Sequence, residues 1–364
     1  MSTNSNKPYV FCGFGIGGRH YGVFRYTEQI LLHMDELISE RGLDTDIRVL
    51  VPSDCEWDPG FKNIRIVRKG RYAENSRIEK VITRAVWKHC CFPCYVKSAG
   101  GIGIDLLLAF PRGHVKLTAL HDCIRESYYA ERGDNSRYQR RYLKNVKRAV
   151  NAPDMKIVTV SEFSRGELMK YYQLPKERIE IIGNGWEHME SVVPDNSVLD
   201  RLGLNKGRGY FFSLGSKEPH KNIKWLIDAA RKNPDYDFVL TGQSPAGDEG
   251  GKCGLKNVIA TGYLDDSQMK ALMLGCRAFI QPSFTEGFGI PPLEALSLGK
   301  QIIVSNAASL PEIFKDSALY IDPNSEAVDL NALTADPAGD PQPVLEAYTW
   351  RNSALKMLKL LQTL

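Results

Sequence analysis

Two glutamates, Glu286 and Glu294, flank the loop Gly287-Phe288-Gly289-Ile290-Pro291-Pro292 in the last quarter of the chain. Ala278 to Gln281 before them reads as a short buried strand. Pro291-Pro292 reads as the first turn of a helix running through Leu293, Leu296 and Leu298 to Gly299, with proline well placed at its start and glycine at its end. Gly287 and Gly289 put no side chain in the path of a ligand, so backbone N–H groups there and at Ile290 can face an anion at the positive end of the helix dipole. Glu294 is expected in the first turn of that helix, with both carboxylates facing one cleft. Carboxylates repel phosphate, so the pair is better suited to accept hydrogen bonds from the hydroxyls of a sugar and a ribose on either side of it. That combination suits a nucleotide-sugar. An isolated E-x7-E is equally a turn with solvated carboxylates; the G-F-G-I-P-P filling is what makes it specific.

A second group follows the apolar run Tyr210 to Leu214, in Gly215-Ser216-Lys217-Glu218-Pro219-His220-Lys221-Asn222. Lys221 is a cation at a helix start, where the macrodipole alone disfavours it; a bound diphosphate would explain it, with Lys217 and His220 as neighbours. His121 follows the strand Lys116 to Leu120, and a lone histidine there is more often structural. The run Tyr9 to Cys12 leads into Gly13-Phe14-Gly15-Ile16-Gly17-Gly18, which satisfies G-x-G-x-x-G through Gly13, Gly15 and Gly18. A dinucleotide site would want an acidic residue about 20 positions on, at the end of the next strand. That strand, Ile47 to Val51, is followed only by Asp54, which is too late. Gly242-Gln243 and Gly262-Tyr263-Leu264 are good turns that also offer a wall for a base. Asp44-Thr45-Asp46 reads as a turn before Ile47 rather than a metal-binding D-x-D. Cys91 and Cys94, with His89 and Cys90 nearby, lack a second ligand pair at zinc spacing, so no metal is expected.

These groups need rigid carriers. Strands are expected at 9–12, 47–51, 64–67, 106–110, 116–120, 157–160 and 179–182, and again at 210–214, 238–240, 258–260, 278–281, 302–305 and 319–321, with helical periodicity between them. Such alternation gives two doubly wound parallel sheets. The first domain is read as residues 1–183 and the second as 184–342, with the polar stretch 186–208 as a linker. Pro343 to Leu364 reads as one amphipathic helix with Val344, Leu345, Tyr348, Leu355, Leu358 and Leu361 inward.

At Glu286 to Glu294 the sequence resembles the retaining family 4 glycosyltransferases of the GT-B fold. The likeness extends to Gly22-Val23-Phe24-Arg25-Tyr26-Thr27, to Ser161-Glu162-Phe163-Ser164, to Glu218-Pro219-His220-Lys221-Asn222, to Ser309-Leu310-Pro311-Glu312 and to Tyr320-Ile321-Asp322-Pro323. It implies two Rossmann-like domains facing a cleft, with a C-terminal helix crossing back to the first. It implies that Glu286 contacts donor-sugar hydroxyls, that Glu294 holds the ribose, that Lys221 neutralises the departing diphosphate and that His121 lies beside the donor sugar. Gly17, Gly18 and their loop would overhang the donor phosphates. His220 stands where the family motif has arginine, and Ser216 where other members place another. The implied chemistry retains anomeric configuration, with same-face attack by an acceptor hydroxyl and the leaving phosphate as base, without metal or cofactor.

Charged residues at 25% and apolar residues at 43% are ordinary for a globular protein. The formal charge of +4 hides an asymmetry: residues 1–180 hold 30 Lys+Arg against 21 Asp+Glu, and the remainder 17 against 22. The basic, aromatic-dotted stretches Lys62 to Lys97 and Arg125 to Arg148 suit an anionic membrane face, a pyrophosphate-bearing lipid or a nucleic acid, or are solvated helix faces. The expected partners are a nucleotide-sugar donor and a glycan or lipid-linked glycan acceptor, with peripheral membrane contact and no nucleic acid. No apolar run approaches the roughly 20 residues of a membrane span. The start lacks a secretory leader and the eight cysteines suggest reduced thiols, so a cytoplasmic protein is expected. Two other readings remain: a nicotinamide dehydrogenase using the Gly13 loop, and a catalytically idle GT-B scaffold that binds membrane or polyanion.

Overall fold

The computed structural model of the chain describes residues 7–17, 22–72, 76–205, 207–215, 218–242 and 254–364. It divides into two compact units, Met1–Asn184 with Trp350–Leu364, and Gly185–Thr349.

The first unit carries seven parallel strands: β1 (Tyr9–Cys12), β2 (Ile47–Val51), β3 (Arg65–Arg68), β4 (Ile102–Asp105), β5 (Val115–Ala119), β6 (Lys156–Thr159) and β7 (Ile179–Ile181). Their order is β3-β2-β1-β4-β5-β6-β7, so the direction of winding reverses between β1 and β4. Helices α1 (Gly22–Arg41), α2 (Arg77–Val86), α3 (Phe92–Ser98), α4 (Arg137–Val150) and α5 (Glu162–Tyr172) cover the faces, with a π-helical stretch, Trp87–Cys91, joining α2 to α3. α5 starts on Ser161, whose hydroxyl accepts the N–H of Ser164, as an N-cap should. The buried carboxylate of Asp35 on α1 accepts N–H groups of Lys62, Asn63 and Ile64 and so fixes the approach to β3.

The second unit repeats the plan with β8 (Tyr210–Ser213), β9 (Asp237–Leu240), β10 (Val258–Ala260), β11 (Ala278–Gln281), β12 (Gln301–Ser305) and β13 (Leu319–Ile321), ordered β10-β9-β8-β11-β12-β13 and all parallel. Its helices are α6 (Ser197–Leu202), α7 (Ile223–Lys232), α8 (Asp266–Gly275), α9 (Ile290–Ser297), α10 (Leu310–Phe314), α11 (Leu330–Leu333) and α12 (Gln342–Ala347). Phe211, Phe238, Ile280 and Ile303 from the strands meet Trp225, Leu226 and Ala229 of α7 in one buried cluster. The chain ends in the first unit with α13 (Trp350–Leu361), which packs on α1: Ser353 donates to Gly183 O at 2.8 Å, and Trp350 lies 6.0 Å from the ring of Tyr26.

Two parallel, doubly wound sheets are the expected fold class, and three local expectations need correction. Leu106 to Phe110 is not a strand. β4 is the glycine-diluted run just before it, and the buried Asp105 carboxylate accepts the N–H of Leu107, Ala109 and Phe110 at 3.2, 3.1 and 2.7 Å, wrapping the apolar run into a loop. Gly103 is needed inside β4, because a Cβ there would lie 2.5 Å from His114 O. The stretch 186–208 is not a free linker. Lys270 of α8 donates to Met189 O and Val192 O at 2.6 and 2.7 Å, and Asp195 N donates to Ser267 O at 3.0 Å. The single helix expected over 343–364 is two, because Tyr348 leaves helical geometry at φ −112°, ψ 78°.

Candidate active site

In an open parallel sheet the ligand crevice lies at the carboxyl ends of the strands where winding reverses. In the second unit those strands are β8 and β11, and the two groups picked out by their chemistry follow them directly. After β8 the chain passes Gly215, where a Cβ would sit 2.1 Å from Thr241 O, and then forms a 3₁₀ turn, Pro219–Lys221. Asn222 takes a left-handed conformation (φ 55°), and its side-chain amide donates to Pro282 O and Pro323 O at 3.1 and 2.9 Å, locking this turn to the loop after β11. Phe284 N donates to His220 O at 2.8 Å, closing the same junction.

The junction brings Lys221 to Glu286. The ammonium lies 2.7 Å from Oε1, and the same oxygen accepts the Ser283 hydroxyl at 2.6 Å, while Ser309 donates to the Glu286 carbonyl at 3.0 Å. Burial pushes the Glu286 carboxyl up, but the Lys221 charge, then the His220 side chain and the hydrogen bonds from Lys221 and Ser283, outweigh it and hold the group below the usual carboxylate range. The result is a buried, ionised acceptor beside a cation whose side chain keeps 30% exposure. An arriving diphosphate can compete for that ammonium, and a sugar hydroxyl can donate to the carboxylate.

Glu294 falls in the second turn of α9, since the helix starts at Ile290, one residue before the expected proline turn. Its carboxylate is 3% exposed and accepts from His188 Nε2 at 2.8 Å. His188 is the functional candidate that sequence reasoning missed: it sits on a 3₁₀ turn, Glu187–Met189, in the stretch taken for a linker. Replacing it with alanine removes that partner from a buried carboxylate, so His188→Ala is expected to cost about 1–3 kcal/mol of stability and to weaken nucleotide binding. Thermal denaturation and a nucleotide titration read the two effects, and wild-type values in both would make the contact idle.

Gly289 caps α9 at φ 100°, and a Cβ there would meet Leu310 Cδ2 at 2.8 Å. Phe288 turns inward, 3% exposed, with its ring edge-on to Tyr348 at 5.2 Å, so at 288 only the backbone is offered to a ligand. Gly242 and Gly262 form a small antiparallel bridge that holds up Tyr263, which is 70% exposed, while Leu264 is a core side chain and not the wall expected of it. Lys217, Ser216, Gln243 and Gly18 lie outside the described residues.

In the first unit the switch point falls at the ends of β1 and β4. Gly17, at φ 77°, packs so closely on Trp57 that a Cβ would lie 2.8 Å from that residue's own. His121 follows β5 with its ring edge-on to Tyr26 at 4.7 Å; burial lowers its pKa to about 4, and its Nε2 is buried without a hydrogen-bond partner. A neutral imidazole with an unused ring nitrogen is suited to a ligand hydroxyl. Asp54, the acidic residue weighed for a dinucleotide ribose, instead accepts the Tyr72 N–H at 3.1 Å. Asp46 of the D-x-D is held by Arg65 at 2.7 Å and by Arg48 Nε at 3.0 Å. Among the described residues no cluster of metal-ligating side chains occurs, and no helix is long and apolar enough to cross a membrane.

Residues 197–336, which hold Lys221, Glu286, Glu294 and Gly289, match the family model for glycosyl transferases group 1. The match lies wholly within the second unit. Over 197 residues, 49% of each chain, the protein is 33% identical to the O-antigen chain mannosyltransferase B of Escherichia coli. The chain spans about half the length of the curated relatives it matches first. Among solved structures, sucrose-phosphate synthase from Thermosynechococcus elongatus superposes with a TM-score of 0.71 at 17% identity, covering 98% of this chain and 99% of that one. Anabaena Alr3699/HepE in complex with UDP-glucose gives 0.65 at 17% identity, covering 98% and 100%. Such likeness makes the fold GT-B, and the stretch matched by the family model falls in the second of two Rossmann-like units.

Proposed function

We propose that the protein is a retaining glycosyltransferase that moves a hexose from a nucleoside diphosphate to a hydroxyl of a glycan or lipid-linked glycan in cell-surface polysaccharide or lipopolysaccharide assembly. Mannose from GDP-mannose is the donor we favour. The observation that carries the reading is the Lys221–Glu286 pair at the switch point of the second sheet, within the stretch matched by the glycosyl transferase family model. The donor sugar is favoured by the likeness to an O-antigen mannosyltransferase.

Breaking the sugar–phosphate bond builds negative charge on the leaving oxygen and positive charge on the ring. Lys221, with the amides at the start of α9, answers the first, and ionised Glu286 orients the sugar and faces the second. Glu294, held by His188, takes the ribose hydroxyls. Among the described residues the Glu286 carboxylate is held by Lys221 and Ser283 rather than paired with a second carboxylate as in glycoside hydrolysis. As the resemblance to the retaining family 4 enzymes implies, the departing phosphate takes the acceptor proton, and the new bond forms on the face it leaves. The same resemblance implies chemistry that needs neither metal nor redox cofactor.

A metal-free thermal-shift titration with GDP, UDP, dTDP and NAD tests the reading without an acceptor. GDP is expected to raise the midpoint, since a ligand at 100 times its dissociation constant stabilises by about 2.7 kcal/mol. A shift with UDP or dTDP alone would keep the transferase and replace the donor; a shift with NAD alone, or none at all, would overturn it.

A further inference from the structure

α2 is built unlike the other helices of its unit. Ile78, Val81, Ile82 and Val86 recur at the spacing of one helical face, and that face is turned to solvent: they are 74, 53, 56 and 48% exposed. They supply four of the nine large apolar side chains exposed among the described residues. A row of that kind is costly in water unless something covers it. The helix itself is well formed, with Ser76 accepting the Glu79 N–H at 3.1 Å as its N-cap, so the row is presented on a rigid support.

The surroundings are strongly cationic. α4 holds Arg137, Arg140, Arg141, Lys144, Lys147 and Arg148 in 14 residues with no acidic side chain, and exposes Tyr138 at 62%. The two helices share one electrostatic neighbourhood. Burial, then the charge of Arg84 on α2, lower the pKa of Lys88 to about 8, with Arg141 adding to the effect. Burial, then Lys88, Arg112, Arg148 and Arg141, lower His89 to about 4. Among the groups acting on these two residues the opposing charges are Asp105 and Cys12, acting on Lys88. Arg84, Arg112 and Arg141 are exposed, and Arg84 also covers the ring of Phe14 at 5.7 Å.

An exposed apolar row on a short helix, set beside a crowd of like charges, has an occupant that satisfies both at once: acyl chains for the row and phosphates for the cations. A water-soluble polyanion would leave the row uncovered, and a second copy of this chain would bring the cations against each other. We propose that α2 is a membrane-docking helix, with Ile78, Val81, Ile82 and Val86 entering the interfacial zone of an anionic bilayer while Arg84, Arg112 and the arginines of α4 engage its lipid phosphates. The proposal stands apart from the sugar-transfer reading, and its test uses no donor.

The test is co-sedimentation of the full chain with vesicles of phosphatidylcholine alone and of phosphatidylcholine with roughly one-third phosphatidylglycerol. Wild-type protein is expected to bind the anionic vesicles at least about ten-fold more tightly than the neutral ones and to be released by salt. Ile78→Asp/Ile82→Asp, and separately Arg137→Gln/Arg140→Gln/Arg141→Gln, are each expected to lower binding by about ten-fold or more. Both sets change exposed side chains, and an unaltered melting temperature in either one keeps the comparison valid. Equal binding to both vesicle types, or no binding to either, would overturn the proposal. Full-strength binding by the aspartate variant would also do so, by reducing the surface to general anion attraction. Concentration-dependent dimerisation of the wild type, lost in that variant with no vesicle binding in either, would assign the row to a second copy and overturn it too.

Discussion

Lys221→Ala is expected to lower sugar transfer by about 10²–10³-fold, the loss typical of removing one preorganised group that faces charge developing in a transition state. Nucleotide binding should fall less, because Glu294 and the amides at the start of α9 remain. The variant also leaves Glu286 buried without its cation. That costs about 2 kcal/mol, below the value for a fully buried pair because the Lys221 side chain keeps 30% exposure. The pH dependence of this cost has a definite sign. In the wild type the folded Glu286 pKa is depressed, despite the upward push of burial, by Lys221 first and then His220 and Ser283. Its contribution to stability is therefore present above the unfolded value of roughly 4.3 and is lost as pH falls through the folded one. With Lys221 gone, burial dominates and the folded pKa rises, so the variant loses stability as pH increases through the raised value. The gap between wild-type and variant melting temperatures should widen from acid toward neutral pH. Parallel melting curves together with transfer within about three-fold of wild type would show that Lys221 does not act on the leaving group.

The pair behind this prediction was half legible in the sequence. Glu286 stood out through its glycine-rich loop and Lys221 through its unfavourable place before α7, and each followed an apolar run short enough to be a buried strand. Their contact at 2.7 Å spans 65 positions and depends on β8 and β11 being neighbours in the sheet. Strand order leaves no local trace in a single sequence, so the two could be named but not paired. His188 was hidden for a related reason. A histidine in a polar stretch marked by proline and glycine carries no periodicity, and only the packing of residues 189–195 on α8 reveals that the stretch belongs to the fold. β4 was missed because Gly101 and Gly103 dilute its apolar pattern, although close backbone approach requires glycine at both positions. The apolar run after it has the composition of a strand, and composition does not reveal that a buried carboxylate, Asp105, collects the N–H groups a neighbouring strand would otherwise need to satisfy.

Gly289→Ala is expected to be a strongly damaging single-methyl change at the site. The residue sits at φ 100°, which L side chains rarely adopt, and the new Cβ would lie 2.8 Å from Leu310 Cδ2 and 3.2 Å from Phe314 Cε2. Neither neighbour has room to yield, since both are fully buried on α10. Backbone strain and overpacking each cost about 1–3 kcal/mol, so a total of roughly 3 kcal/mol is expected, or on the order of 10 °C in melting temperature for a unit of this size. The functional effect should exceed the thermal one. Gly289 sets the direction in which α9 starts, so relief of the clash must move the amides of the first turn and, through the helix, the carboxylate that His188 holds. Nucleoside-diphosphate binding is then expected to fall at least about ten-fold even at temperatures where the variant is fully folded. Gly299→Ala provides the control: it is also left-handed, at φ 73°, but has nothing within 4 Å of the new Cβ. It should lose about 1–2 kcal/mol from strain alone and bind nucleotide like the wild type. Equal binding losses in the two variants would mean that the start of α9 does not touch the donor.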